Sequence, residues 1–352
     1  MEFNLSAVPN SAEMLARFRS ASWSYVILIL VILMTVICIF LYIEALIFLY
    51  QRFKFGSRRR YLLYICGVFP AHSMTSLIGL CVPTASFGCA FLADIYIAVA
   101  LYVILLLITD LFGGVEPMVK ALSKVDVPMR QPPCCCCVCF PSITVDKKIF
   151  HRIRVGILQY IAMLPAVSLL PAILWVDQLI PSSRSNSIYD AIEVPAIAIN
   201  ILSTLTAIYS ILLLFKASRG LLRSFQLTGQ FISVQLVLFL VNFQRVLLTI
   251  LMRFDVIECI IPLTCLRDLV LKTLLNFLIV LEMPLFMLGN RFFVQRWVRS
   301  GTYTQCFEDG AKADVEGDKQ DQQPSPEHNH NNGAFENRAI SEMTPNDMLT
   351  NL

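Results

Sequence analysis

The chain has 352 residues, of which 57% are hydrophobic and only 15% are charged. Soluble domains contain about 45–50% apolar and about 25% charged residues, so the composition excludes a soluble protein and predicts an all-α, polytopic membrane protein. The formal net charge of +3 says little by itself, because the charges are segregated by position. No nucleic-acid module, glycine-rich phosphate loop or internal repeat is found, so we expect no nucleic acid partner and no cofactor.

Seven apolar runs are long enough to cross about 30 Å of hydrocarbon as helices. They lie at about 24–50, 61–82, 85–111, 153–179, 192–215, 231–251 and 270–289. The first run is too long for the apolar part of a cleavable signal peptide. The short turn Val82-Pro83-Thr84 predicts that the second and third helices form a tight antiparallel hairpin.

Basic residues follow the odd-numbered runs, and such loops normally face the cytosol. The loops after the first and third runs contain Arg52, Lys54, Arg58, Arg59, Arg60, Lys120, Lys124, Arg130, Lys147 and Lys148. The alternate loops are poor in basic residues, although Arg17 and Arg19 argue weakly for the opposite orientation. We therefore expect an extracellular segment 1–23, a seven-helix transmembrane domain 24–300 and a cytosolic C-terminus, in the cell membrane.

Both ends of the chain agree with this orientation. Asn4 begins the sequon Asn4-Leu5-Ser6 on the predicted outer side, so it is a candidate glycosylation site. Residues 301–352 are rich in polar and charged side chains and predict a disordered cytosolic tail. The composition favours a plain solvated tail over one with a trafficking or partner-binding role.

The cysteine run consists of Cys134, Cys135, Cys136, Cys137 and Cys139 and lies in the basic loop after the third helix. Adjacent cysteines do not have the spaced-pair pattern of tetrahedral zinc sites, so we expect no metal. A cytosolic location would keep them reduced. Juxtamembrane thiols are substrates for S-acylation, which we predict would hold this loop against the inner leaflet.

Two other cysteine pairs lie on the predicted outer side. Cys259 and Cys265 share the last outer loop, and Cys81 and Cys89 flank the first. A disulfide is chemically allowed in each pair. Free thiols fit the sequence equally well.

Four ionisable residues lie within the predicted helices, where charges are expensive and usually face the bundle interior. At about 1.5 Å per residue, Asp94 and Arg245 lie in the outer half of the membrane within a few Å of each other in depth. They are predicted to form an ion pair, either structural or in contact with substrate. Glu44 and Glu282 each lie roughly 10 Å from the inner ends of their helices, which predicts a shared polar site near the cytosol.

Amide side chains complete the polar residues of the helices. Asn200, Gln235, Gln244 and Asn276 are typical of helix–helix contacts. Asn242 lies close to Arg245 in the sixth run. The predicted substrate route therefore comprises Glu44, Asp94, Asn242, Arg245 and Glu282.

Seven helices with an outer N-terminus also describe G-protein-coupled receptors. However, the third helix ends Thr109-Asp110-Leu111 without an Asp/Glu-Arg-Tyr motif, and the seventh lacks Asn-Pro-x-x-Tyr. A receptor or signalling protein remains the alternative. An intramembrane enzyme is not expected, because His72 and His151 stand alone and no Gly-x-Ser-x-Gly or Gly-x-Gly-Asp element occurs, so no catalytic residue is assigned.

One ordered set of motifs resembles the alpha subunits of organic solute transporters. It comprises Asp110-Leu111-Phe112-Gly113-Gly114, Pro133 with the cysteine run, Lys147-Lys148, Gln159-Tyr160, the Cys259/Cys265 loop and Leu281-Glu282, within about residues 24–300. Val138 interrupts the cysteine run. The resemblance implies a seven-span subunit that carries amphipathic organic anions, such as bile acids and conjugated steroids, by facilitated diffusion. It also implies a single-span beta subunit as partner. An intramembrane carboxylate leaves proton coupling open.

Overall fold

The computed structural model describes residues 9–52, 56–128, 142–177, 185–222, 228–254, 256 and 267–299. The helices are α1 (Ser11–Ser20), α2 (Ser22–Arg52), α3 (Ser57–Cys66), α4 (Val68–Cys81), α5 (Ser86–Leu111), α6 (Val115–Leu122), α7 (Lys147–Asp177), α8 (Ser185–Arg219), α9 (Thr228–Arg253) and α10 (Arg267–Arg299). Strands β1 (Asp126–Pro128) and β2 (Ser142–Thr144) pair antiparallel, with Val127 opposite Ile143.

Six helical stretches of the described chain are long and apolar enough to cross a membrane. They are Ser22–Arg52, Ser57–Cys81, Pro83–Leu111, Ala198–Arg219, Gly229–Met252 and Leu269–Arg296. The predicted all-α, polytopic membrane fold is therefore confirmed. The other predicted span, 153–179, falls on α7, a helix of 31 residues that is not among the six. The count of seven and the orientation consequently stay predictions.

Helices α4 and α5 form the centre of the bundle. α4 packs against α2, α5 and α10, whereas α5 packs against α4, α7, α8 and α9. In the most apolar stretch of the span that contains α5, 61% of the residues are buried inside the protein. The corresponding share for α2 is only 22%. The apolar side chains of α2, such as Val26, Leu33 and Phe40, therefore face outward, where lipid is the natural solvent for them.

The second predicted helix is divided at Gly67 into α3 and α4. The Tyr96 hydroxyl of α5 donates a hydrogen bond to the Tyr64 carbonyl at 3.1 Å, and the two rings stack with their centroids 4.5 Å apart. A Cβ atom at Gly67 would collide with the Tyr96 hydroxyl. Glycine at this position therefore lets α5 approach the break in the second helix.

The end of the bundle that is predicted to face outward contains the predicted hairpin and a helix that the sequence did not reveal. A single 3-10 turn, Pro83–Ala85, connects α4 to α5, which confirms the tight turn. Helix α1 lies within the predicted extracellular segment and is capped by Asn10, whose side-chain oxygen accepts a 2.8 Å hydrogen bond from the Glu13 amide. Its Met14 and Phe18 form a small apolar cluster with α2.

Candidate functional site

The ion pair predicted between the third and sixth apolar runs is present. Arg245 of α9 donates from Nη2 to Asp94 Oδ2 of α5 across 3.2 Å. Each residue lies eight positions from the predicted outer end of its helix, so both lie roughly 12 Å inside that end. The Arg245 side chain is 34% exposed and that of Asp94 20%, so the pair is only partly enclosed by protein.

The adjacent residue on α9 joins the next helix. Gln244 donates from Nε2 to Glu282 Oε1 of α10 across 2.5 Å. Because Gln244 precedes Arg245 directly, this bond puts Glu282 at the level of the Asp94–Arg245 pair. The consecutive residues Gln244 and Arg245 of α9 thus contact two different helices, α10 and α5 respectively.

The sequence predicted that Glu282 and Glu44 lie at the same depth. The structure places them at different depths. The sequence count ended the last helix near residue 289, but α10 continues to Arg299, so Glu282 lies about 25 Å from the inner end. Glu44 instead forms an ion pair with Arg291 of α10. Arg291 lies nine residues beyond Glu282, or about 13 Å further along the helix. Each carboxylate has its own partner.

The amides of the helices have separate roles. The Asn242 side chain donates to the Leu238 carbonyl of its own helix at 2.8 Å, so the structure does not bring it into contact with the ion pair. Asn276 of α10 donates to the Ser86 hydroxyl of α5 at 3.4 Å, near the outer end of the bundle. The latter bond is of the helix–helix kind expected from the sequence.

Two residues near the ion pair were not identified from the sequence as part of this site. His72 of α4 is buried, and Asp94 and Arg245 both lie within electrostatic range of its ring. Tyr160 of α7 is also buried and lies within electrostatic range of the same two residues. Counting depth along the chain would have placed His72 at the level of the ion pair. It lies nine residues before the predicted outer end of α4, or about 13 Å inside it.

These side chains form what we term the polar layer, contributed by α5 and by four other helices. It consists of His72, Asp94, Tyr160, Gln244, Arg245 and Glu282. Three of its buried atoms have no hydrogen-bond partner among the described residues: His72 Nε2, Gln244 Oε1 and Glu282 Oε2. His72 Nδ1 lies 3.0 Å from the Val68 carbonyl and therefore donates to it, which leaves Nε2 as an acceptor in the neutral ring. The layer thus combines one cation with hydrogen-bond acceptors at membrane depth.

The described part of the chain contains no group of three or more His, Cys, Asp or Glu side chains that could hold a metal ion.

The Asp110–Gly114 motif forms the inner end of α5. Arg58 of α3 donates from Nε to Asp110 Oδ2 at 2.6 Å and from Nη2 to the Asp110 carbonyl at 3.1 Å. Gly113 and Gly114 adopt φ values of 78° and 120°, and the Gly114 amide donates to the Thr109 carbonyl at 3.0 Å. The motif therefore ends α5 and turns the chain into α6, a structural role.

The cysteine run lies within residues 129–141, outside the described residues, but the structure describes what holds that segment. Strands β1 and β2 immediately precede and follow it and pair with each other. Pro128 and Ser142, the described residues on either side of it, are therefore paired, and α7 begins shortly after β2 with Lys147 and Lys148.

Several other predictions also fall outside the described residues: Asn4, the pair Cys259 and Cys265, and residues 301–352. Cys81 and Cys89 are described, and both are free thiols. A disulfide between them is therefore not present in the structure.

A sequence model of the family described as "Organic solute transporter Ostalpha" matches residues 27–296. The chain is 27% identical over 237 residues to the organic solute transporter subunit alpha of Leucoraja erinaceus, covering 65% of each chain. It is 23% identical over 231 residues to the protein of the same name from Danio rerio, covering 65% of this chain and 70% of that one. An organic solute transporter alpha-like protein 3 of Caenorhabditis elegans is 25% identical over 217 residues, which is 60% of each chain.

The chain thus spans 65% of the length of the first of these relatives. No solved structure shows a significant match. The comparisons are therefore sequence relationships, and the geometry above comes from this chain alone.

Proposed function

The chain belongs to the organic solute transporter alpha family, and we propose that it is the subunit through which amphipathic organic anions cross the cell membrane. The solutes would be of the bile acid or steroid conjugate class and would move by facilitated diffusion. The family consists of membrane transporter subunits and not of enzymes, in line with the expectation from sequence.

The observation that carries this proposal is the partly exposed Asp94–Arg245 pair, which lies roughly 12 Å inside the ends of two long apolar helices. Charges at membrane depth are costly against lipid and normally line a polar pathway or the bundle interior. A solute with an apolar body and one anionic group fits a site that offers a guanidinium within apolar helices.

We propose that the substrate route passes the polar layer and continues toward the inner side. Asp94, Arg245 and Glu282 would line its middle, and Glu44 with its partner Arg291 a deeper section. Asn242 lies one helical turn before Arg245 on α9, so it would flank the route without contacting the pair.

Two mechanisms differ in the part played by Glu282. In facilitated diffusion Glu282 shapes a hydrated section of the route and binds no proton in step with transport. In proton-coupled transport it would take up and release a proton in each cycle. Facilitated diffusion is the mechanism implied by the family resemblance.

We also propose that a single-span beta subunit completes the transporter. Only 22% of the most apolar stretch of α2 is buried inside the protein. The outward-facing apolar surface of this helix can contact either lipid or a single partner helix. We further propose that the cysteine run is S-acylated; the paired strands β1 and β2 flank it in the chain, and the basic start of α7 follows β2.

The proposal is tested by uptake of a panel of bile acid and steroid conjugates into cells that express the chain with and without a single-span beta subunit. Saturable uptake above that of cells lacking the chain would support it. A chain that reaches the cell surface and moves no conjugate under either condition would contradict it. Ligand-triggered G-protein signalling without uptake would instead favour the receptor alternative.

A further inference from the structure

We propose that Arg245 binds the anionic group of the transported solute and that Asp94 is the resident counter-ion which that group displaces. This assignment rests on the proposed transport function and adds a division of roles within the polar layer. The same guanidinium would thus face a protein carboxylate in the empty site and the solute's anion in the loaded site.

The geometry of the pair points to an exchangeable contact. A guanidinium has five N–H donors in a planar fork, and an ion pair that uses two of them in parallel is the strong arrangement with a carboxylate. Arg245 uses one nitrogen toward Asp94, at 3.2 Å, whereas charge-assisted bonds of this type are usually about 2.7–2.9 Å. The remaining donors of Arg245 have no partner among the described side chains.

Anion binding requires that the cation of the pair be accessible, and the two side chains differ in exposure in this sense. Arg245 is 34% exposed and Asp94 20%, so the cation is the more accessible member. At about 12 Å inside the helix end, an exposed guanidinium needs a polar or anionic neighbour, because lipid tails cannot solvate it. A carboxylate, sulfonate or sulfate on an amphipathic solute supplies that neighbour and can engage the fork in bidentate fashion.

Asp94 is itself 20% exposed, so water that enters the proposed route can solvate its carboxylate once the solute has taken its partner. Binding then replaces one anion by another beside a single cation, so the total charge of Asp94, Arg245 and the solute changes by the solute's charge alone. A net displacement of this kind needs no coupling ion, in agreement with facilitated diffusion.

Specificity follows from the division of roles. An anionic steroid conjugate should depend on Arg245, whereas its uncharged parent steroid should not, since the apolar contacts are shared by both. Asp94 competes with the solute for the guanidinium, so its neutralisation should tighten binding of the anion. A structural ion pair would give neither asymmetry.

The test is equilibrium binding of a steroid sulfate and of its uncharged parent steroid to the full chain in lipid nanodiscs. The variants are Arg245→Gln, Arg245→Lys and Asp94→Asn, with Arg58→Gln as a matched control that disrupts a different α5 ion pair, at the inner end. Dissociation constants are expressed per folded protein from size-exclusion chromatography. Arg245→Lys keeps the charge, so it provides a folded variant if Arg245→Gln is recovered poorly.

We expect Arg245→Gln to weaken sulfate binding by about ten- to a hundred-fold, the range for a hydrogen bond to a charged group. Arg245→Lys should give a smaller loss, and Asp94→Asn should tighten sulfate binding. The parent steroid should change by less than about threefold in all of them, and Arg58→Gln should not alter the ratio of the two constants.

Equal changes for the sulfate and the parent steroid would overturn the assignment, as would weaker sulfate binding in Asp94→Asn. Either result, with wild-type uptake of conjugates intact, would leave the transport function standing. A wild-type chain that neither binds nor takes up the sulfate, with or without a single-span beta subunit, would instead overturn the transport function and the assignment with it.

Discussion

The Asp94–Arg245 pair should couple α5 to α9 energetically, and a double-mutant cycle measures this directly. Removing one partner of a fully buried pair costs about 3–5 kcal/mol, because the other charge is left uncompensated. Exposed pairs are worth only about 0.2–1 kcal/mol. With exposures of 34% and 20% and a single 3.2 Å contact, this pair lies between the two limits.

We therefore expect Asp94→Asn and Arg245→Gln each to lower the free energy of unfolding by about 2 kcal/mol. The double variant removes both charges and strands neither, so it should be less damaging than the sum of the single variants. A coupling energy of about 1–2 kcal/mol would place the two residues in direct contact.

The measurement is denaturant unfolding of purified protein in mild detergent, with folded yield as a second readout. Arg58→Gln, which disrupts the Arg58–Asp110 pair at the inner end of α5, is combined with Arg245→Gln as a control that should be additive. Independent sites add within about 0.3–0.5 kcal/mol. Additivity of the Asp94 and Arg245 variants within that margin would refute the reasoning.

Four further predictions concern other parts of the chain. Replacing the cysteine run by serines should abolish a mass tag introduced by acyl exchange, and an untagged wild-type chain would disprove S-acylation. Under facilitated diffusion, Glu282→Gln should reach the cell surface and leave the response of uptake to pH unchanged; a flattened pH response would indicate proton exchange at this residue. Gly67→Ala should cost about 1–3 kcal/mol by overpacking against Tyr96, whereas Gly88→Ala, which faces open space, should be neutral, and equal effects would contradict the packing argument. Asn4→Gln should remove a glycosidase-sensitive increment of mass, and no such increment in the wild type would argue against an outer, glycosylated N-terminus.

The sequence alone was sufficient to identify the membrane class and the location of most helices. A run of about 20 apolar residues has few alternatives to a transmembrane helix, because only a helix satisfies its own backbone hydrogen bonds in lipid. The helical rise is constant, so depth can be counted along the chain. That count correctly placed Asp94 and Arg245 at one level, and the tight turn at Pro83 followed from its length.

The same count misplaced Glu282, because it depends on where a helix ends. The last apolar run ends near residue 289, yet α10 continues through the polar residues beyond it to Arg299. Long basic side chains can extend from a helix to the membrane surface, so they do not by themselves end it. Helix α1 was missed for a related reason, since it is short and owes its stability to packing against α2.

The family resemblance was visible in the sequence because its motifs are local, and the fold of the Asp110–Gly114 turn is likewise local. The tertiary structure alone decided which helices are neighbours and which way each polar side chain faces. It paired Glu282 with Gln244 and Glu44 with Arg291, and it brought His72 and Tyr160 to the ion pair. These contacts join residues far apart in the chain, and a helix can present a given residue to any neighbour around its axis. The depth of a residue is set by the rise along its own helix. The neighbour toward which its side chain points is set by the packing of all the helices.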